Sequence, residues 1–280
     1  MKDELKDMLK KAGGYQDDSE LNLNGRQRNI MPLFLMIDTS GSMKVNDGIK
    51  IQQVKRAIDN IKVQLASHNE ECDASVIKVS VLCFDDEPHW DGVMQDPSLI
   101  KPSLDLGVLT NMGLAFEELE KNLSSDGLIQ KTDGVGYKRA VFLLLSDGRS
   151  TDNIDKGLKK LKTNGWFVKG TRIGIAMGED ADTAALVNFT GAKSNVLRIS
   201  DNNLSCLEAV LENVAVVAST TNSRANDLET QMIFDRCFEE SAMATADILT
   251  EAHRKYTSDR PDMKVGDKDD PFLPWVEKNK

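Results

Sequence analysis

The sequence offers little positive charge to a polyanion. Its formal net charge is -10 and its pI about 4.9, whereas binding a phosphate backbone needs Lys and Arg clustered on one face. Nucleic acid is therefore not an expected partner. No apolar run approaches the ~20 residues that would span a bilayer, so no membrane is expected either. The opening stretch "MKDELKDMLKK" breaks its Leu and Met residues with charges and has no continuous apolar segment of the secretory kind. Cys72, Cys83, Cys206 and Cys237 are scattered, with neither a CxxC pair nor a His at zinc spacing, and read as buried or idle thiols. Together these absences lead to the expectation of a reducing, cytoplasmic location.

Catalytic signatures are missing too. There is no GxxxxGK[ST], and "DGVGYK" (133–138) precedes a strand-like run where a dinucleotide fingerprint should follow one. His68 ends a predicted helix, His89 lies by a predicted edge strand, and His253 sits in a C-terminal helical stretch. All three read as surface residues, which leaves a serine hydrolase without its base.

What is present is a 280-residue chain with 40% hydrophobic residues, enough for a sizeable core. "PLFLMID" (32–38), "SVIKVSVLCF" (75–84), "RAVFLLLSDG" (139–148) and "FVKGTRIGIAMG" (167–178) have strand composition. Pro32 is read at the first position of its strand, where a missing N–H is tolerated. "EPHWDGVM" is expected to turn back as a short edge strand, and "SNVLRIS" to add a last one. Between them, Ile51, Val54, Ile58, Ile61 and Leu65 repeat at helical spacing. Further helices are expected over "NMGLAFEELEKNL", over "NIDKGLKKLKTNG" with Gly165 ending it, over "DADTAALVNFTG", and over "NLSCLEAVLENVAVVA". Strands apolar on both faces that alternate with helices imply an α/β fold: a doubly wound, mostly parallel sheet covered on both sides. The predicted division is a lead-in (1–29), a domain (30–222) and a C-terminal helix and tail (223–280). The helix over 226–256 carries an apolar stripe, which would dock on the domain's own flank or recruit a partner or a second copy.

In open parallel sheets, ligands bind beyond the carboxyl ends of the strands. "DTSGS" and "SDG" both fall there. Asp38, Ser40 and Ser42 are spaced by two, so alternate side chains can enter one hollow, and Asp147 arrives from another strand end. Carboxylates with hydroxyls suit a hard cation, Mg²⁺ or Mn²⁺. Alternatively, the serines make a turn and Asp147 caps a helix. Asp85 and Asp86, in "FDDE", read as solvated turn residues or as an outer shell to a metal.

These residues resemble the metal-ion-dependent adhesion site (MIDAS) of von Willebrand factor A (VWA) domains: Asp38, Ser40 and Ser42 in "DTSGS", Thr110 in "GVLTNMGLAF" and Asp147 in "LLLSDG". Thr110 or Asn111 is also placed to cap the helix that follows. The resemblance covers roughly residues 30–220. "PLFLMIDTSGSM" is similar to bacterial intracellular members, including TerY-like proteins associated with tellurium resistance. The resemblance implies a divalent cation with one coordination position left for an Asp or Glu of a protein partner, and no catalysis. The rival reading is a metal-dependent phosphoesterase or phosphotransferase with Asp38 as nucleophile. One such family places an acid two residues later, and here that residue is Ser40, which cannot donate a proton usefully near neutral pH.

Overall fold

The computed structural model describes residues 28–73, 75–123, 127–129, 135–178, 180–199 and 207. The helix expected over 203–218, apart from Leu207, the helix over 226–256 and the lead-in before residue 28 lie outside these residues, as do Cys206, Cys237 and His253.

Six strands form one sheet: β1 (Asn29–Asp38), β2 (Ser75–Phe84), β3 (Pro88–Gln95), β4 (Val141–Ser146), β5 (Thr171–Met177) and β6 (Val196–Ile199). Their order is β3-β2-β1-β4-β5-β6. All neighbours are parallel except the β2–β3 pair at the edge. The expected doubly wound α/β architecture is therefore present, with helices α1 (Val45–Glu71), α2 (Met112–Asn122), α3 (Ile154–Leu161), α4 (Gly165–Lys169) and α5 (Thr183–Thr190).

Alternation along β1 explains the two layers. Met31, Leu33, Leu35 and Ile37 meet Val54, Ile58, Ile61 and Leu65 of α1, the stripe read from the sequence. Phe34 and Met36 point the other way, into a core shared with Phe116 and Leu119 of α2, Leu158 of α3 and Phe189 of α5. Phe34 stacks on Phe142 of β4, with ring centroids 5.1 Å apart. A strand buried on both faces favours apolar residues at successive positions, which is why β1 from Leu33 to Ile37 and β4 from Val141 to Leu145 stand out as continuous runs.

Three details depart from the sequence reading. Pro32 lies inside β1 rather than at its start. Ile30 bridges to Tyr137 and Leu33 pairs with Val141, so the β1–β4 register steps by one between them, and the residue that cannot donate falls in that break. Gly165 does not end α3. Asn164 accepts hydrogen bonds from the N–H groups of Trp166 and Phe167 and starts the separate helix α4, so 167–169 are helical and β5 begins only at Thr171. His68 is not a surface residue: it is half-buried within α1, and its Nε2 is buried without a hydrogen-bond partner among the described residues.

β3 pairs with β2 only from Val79 onward, which leaves the outer edge of β2 open near Ile77. The Asn69 side chain closes it. Its Oδ1 accepts from the Ile77 N–H at 2.7 Å and its Nδ2 donates to the Ile77 carbonyl at 3.0 Å, as a neighbouring strand would. Arg28 in turn donates to the Asn69 carbonyl at 2.6 Å. Asn69→Ala would leave both Ile77 groups unpaired in a buried setting, so the unfolding free energy is expected to fall by about 2 kcal/mol in urea titrations. An unchanged midpoint would show that these bonds add nothing.

Candidate metal centre

β1 and β4 are adjacent, and the chain leaves them in opposite directions, to β2 on one side and β5 on the other. That is the switch point where a crevice opens beyond the strand ends. Asp38 is the last residue of β1, and Asp147 directly follows β4. Both carboxylates are inside the protein, at 0% and 2% exposure.

Asp38 is held on both oxygens. Its Oδ1 accepts from the Ser40 N–H at 2.9 Å and its Oδ2 from the Ser146 hydroxyl at 2.5 Å. Each oxygen keeps a second acceptor direction for a cation or its water. Ser40 and Ser42 sit with their hydroxyl oxygens 2.9 Å apart, at the start of the short 3-10 turn Gly41–Lys44. Asp147 accepts one long hydrogen bond, from Arg149 N–H at 3.3 Å, and no other to its carboxylate among the described residues. Its backbone is fixed by Gly148, at φ +78°, where an added Cβ would run into the Asp182 carbonyl oxygen. The "SDG" turn thus requires its glycine for conformation and for close approach.

Thr110 comes from the third loop. Its N–H donates to Thr151 Oγ1 at 3.1 Å, and its carbonyl accepts from Thr151 N–H at 2.8 Å and from the Ser150 hydroxyl at 3.1 Å. The Thr110 hydroxyl itself makes no hydrogen bond among the described residues, although the residue is only 4% exposed. Neither Thr110 nor Asn111 caps α2 with its side chain. The cap comes from across the crevice, where Asp152 accepts from Gly113 N–H at 2.8 Å and Leu114 N–H at 2.9 Å.

Asp85 and Asp86 are not merely solvated turn residues, and they anchor the Thr110 loop. Asp86 accepts from Leu109 N–H at 2.9 Å, its carbonyl from the Asn111 side chain at 2.7 Å, and the Asp85 carbonyl from Asn111 N–H at 2.8 Å. The Asp85 carboxylate accepts from Thr39, whose hydroxyl lies 3.3 Å away, and Thr39's carbonyl takes the Gly107 N–H at 3.0 Å. The structure places Asp38, Ser40 and Ser42 at the end of β1, Asp147 at the end of β4 where its charge acts on Asp38, and Thr110 on a loop hydrogen-bonded to the β1 turn and the β4 loop. It adds Thr39, Ser146 and Asp152, which sequence reasoning missed. Only Ser146 left a local signal, as the hydroxyl before Asp147.

Burial pushes the Asp38 carboxyl up to about 6, with the charge of Asp147 adding to the shift while bonds from Ser146 and Ser40 oppose it. The donors are all oxygen, one hydroxyl is free and one buried carboxylate is barely satisfied, so the residues fit a hard divalent cation.

No protein-family profile matches the chain. Clostripain of Hathewaya histolytica is 23% identical over 157 residues, 48% of this chain and 30% of that protein. Among solved structures, proximal thread matrix protein 1 from the mussel byssus, with a zinc-occupied MIDAS motif, superposes with TM-score 0.52 at 17% identity, over 67% of this chain and 48% of that one. A von Willebrand factor type A structure from Catenulispora acidiphila gives 0.52 at 13% identity, over 69% and 44%. The chain thus spans less than half the length of each of these proteins. The fold is VWA-like.

A carboxyl whose folded-state value lies above the unfolded 3.8 favours the native state while protonated, and that contribution is lost as pH rises through about 6. Without metal, the wild type should lose about 2 kcal/mol relative to Asp38→Asn between pH ~4 and ~6.5. Saturating Mg²⁺ should cancel the difference near pH 7. Urea midpoints across pH in EDTA and in Mg²⁺ check both.

Proposed function

We propose that the chain is a metal-dependent protein-binding module, in which Asp38, Ser40, Ser42, Thr110 and Asp147 hold Mg²⁺ or Mn²⁺, directly or through water. The observation that carries this reading is the pairing of two buried carboxylates with hydroxyls at the switch point, where Asp147 and the Thr110 hydroxyl lack strong protein partners. Neutral Ser and Thr donors leave a bound divalent ion electrophilic, so it would supply a strong contact to a partner's Asp or Glu. Beside Thr110 the rim is apolar and open, with Val108 81% exposed and Leu109 and Leu114 more than 40%. Such a rim suits a protein surface better than a small polar substrate.

The narrower parts of the reading are a cytoplasmic bacterial setting, kinship with TerY-like tellurium-resistance proteins, the absence of catalysis, and association through residues 223–280. Non-catalysis is supported by Ser40 standing where a phosphoesterase would need an acid, and by the burial of Asp38 with both its oxygens engaged.

Melting temperature should rise with Mg²⁺ or Mn²⁺, since a ligand specific to the folded state stabilises it by about 2.7 kcal/mol at a hundredfold excess over Kd. Asp147→Ala should keep the fold and lose the response; an unchanged shift would reject the site. In pull-downs, wild type in Mg²⁺ should retain a partner that EDTA or Ser40→Ala releases. Val108→Ser should weaken retention several-fold without altering the metal response. Hydrolysis of phosphoesters that disappears in Asp38→Asn would replace this reading with the enzymatic one.

A further inference from the structure

The antiparallel edge carries a second group of ligating side chains. Leu82 pairs with Trp90 and Val81 with Gly92, so Asp91 is an extra residue in a β-bulge. Bulges re-aim side chains, and this one sets Asp91 beside Cys83. The Cys83 Sγ lies 3.3 Å from Asp91 Oδ2, and His89 Nε2 lies 3.8 Å from Asp91 Oδ1. Cys83 and His89 are themselves cross-strand partners. One ligand atom from each of the three residues falls within a 4.8 Å span.

Two bland explanations are weaker. A nucleophilic thiol would need its base against the sulfur, but here the carboxylate sits between thiol and imidazole. A packing cysteine needs no polar company, yet Cys83 faces an aspartate that strand alternation without the bulge would have turned elsewhere.

The 4.8 Å span is wider than a bound metal requires, and rotation of the half-exposed His89 side chain is the movement that would close it. Zinc bonds of ~2.3 Å to sulfur and ~2.0 Å to nitrogen or oxygen place tetrahedral ligand atoms roughly 3.3–3.6 Å apart. Cys83 is fully buried, whereas the His89 side chain is 41% exposed and leaves an entry path. We propose that Cys83, His89 and Asp91 form a second metal site, separate from the hydroxyl-lined crevice, which takes Zn²⁺ with water at the fourth position. The site would staple the edge strand β3 to β2. It would also fix the segment leading to Thr110, because Ser103 N–H donates to Asp91 at 2.6 Å.

Cobalt(II) reports this site selectively, because the crevice at Asp38 offers no sulfur. Titrating the reduced, metal-stripped full chain with Co²⁺ should give a sulfur-to-cobalt charge-transfer band and strong tetrahedral visible bands at a single equivalent, both removed by Zn²⁺. Cys83→Ser should abolish the charge-transfer band. His89→Ala, a half-exposed change that puts folding at little risk, should weaken Co²⁺ binding at least about tenfold. Asp147→Ala and Cys72→Ser should leave the bands intact. The proposal is overturned if wild type shows no charge-transfer band, if the band survives Cys83→Ser, if His89→Ala binds as tightly as wild type, or if Asp147→Ala removes it.

Discussion

A carboxylate held out of water at the end of a central strand sets the conditions for everything around it. Asp38 is fully buried beside a second buried acid, and a charge in that position is tolerated only with hydrogen bonds, a counter-ion or protonation. Ser146 and the Ser40 N–H supply the hydrogen bonds. A cation would supply the rest. Short oxygen-bearing side chains at these positions answer one electrostatic demand, and the strands that carry them are positioned by two apolar layers that have no part in the chemistry.

How much of this was legible follows from the range of each interaction. β2 was readable to the residue because nearly all of its positions are buried, with only Lys78 half-exposed. The helical stripe of α1 was equally plain. α4 was not, since Trp166, Phe167 and Val168 have strand-like composition and only the Asn164 cap turns them into a helical turn. The DxSxS spacing and the Asp after β4 exposed the site's main residues because they lie at strand ends. Asp152 could not be found that way: as a cap it serves a helix 38 residues earlier in the chain, and nothing local distinguishes it from an ordinary loop acid. Asp86 is hidden for the same reason, holding a backbone 23 residues away.

These long-range acids change what the loops are. Loops at a sheet's end are ordinarily its most adaptable part. Here the Thr110 loop is tied to the β1 turn through Gly107 and Thr39, to the β2 end through Asp85 and Asp86, and to the β4 loop through Thr151 and Asp152. Four segments fastened together through the Thr110 loop can hold donors that the cation would otherwise have to gather, which is preorganisation in the usual sense.

The placement of Asp38 on β1 has a mechanical side. A pull on anything gripped at the crevice is delivered to a strand paired along its whole length with β2 and from Leu33 to Ile37 with β4. Tension along β1 would load those hydrogen bonds together, in shear, and the strand could leave only by dragging its apolar residues from both layers. The same pull applied to β3 at the antiparallel edge would meet its bonds to β2 one after another. The strand that carries Asp38, paired in parallel on both sides and buried in both layers, is held against extraction in a way that the edge strand β3 is not.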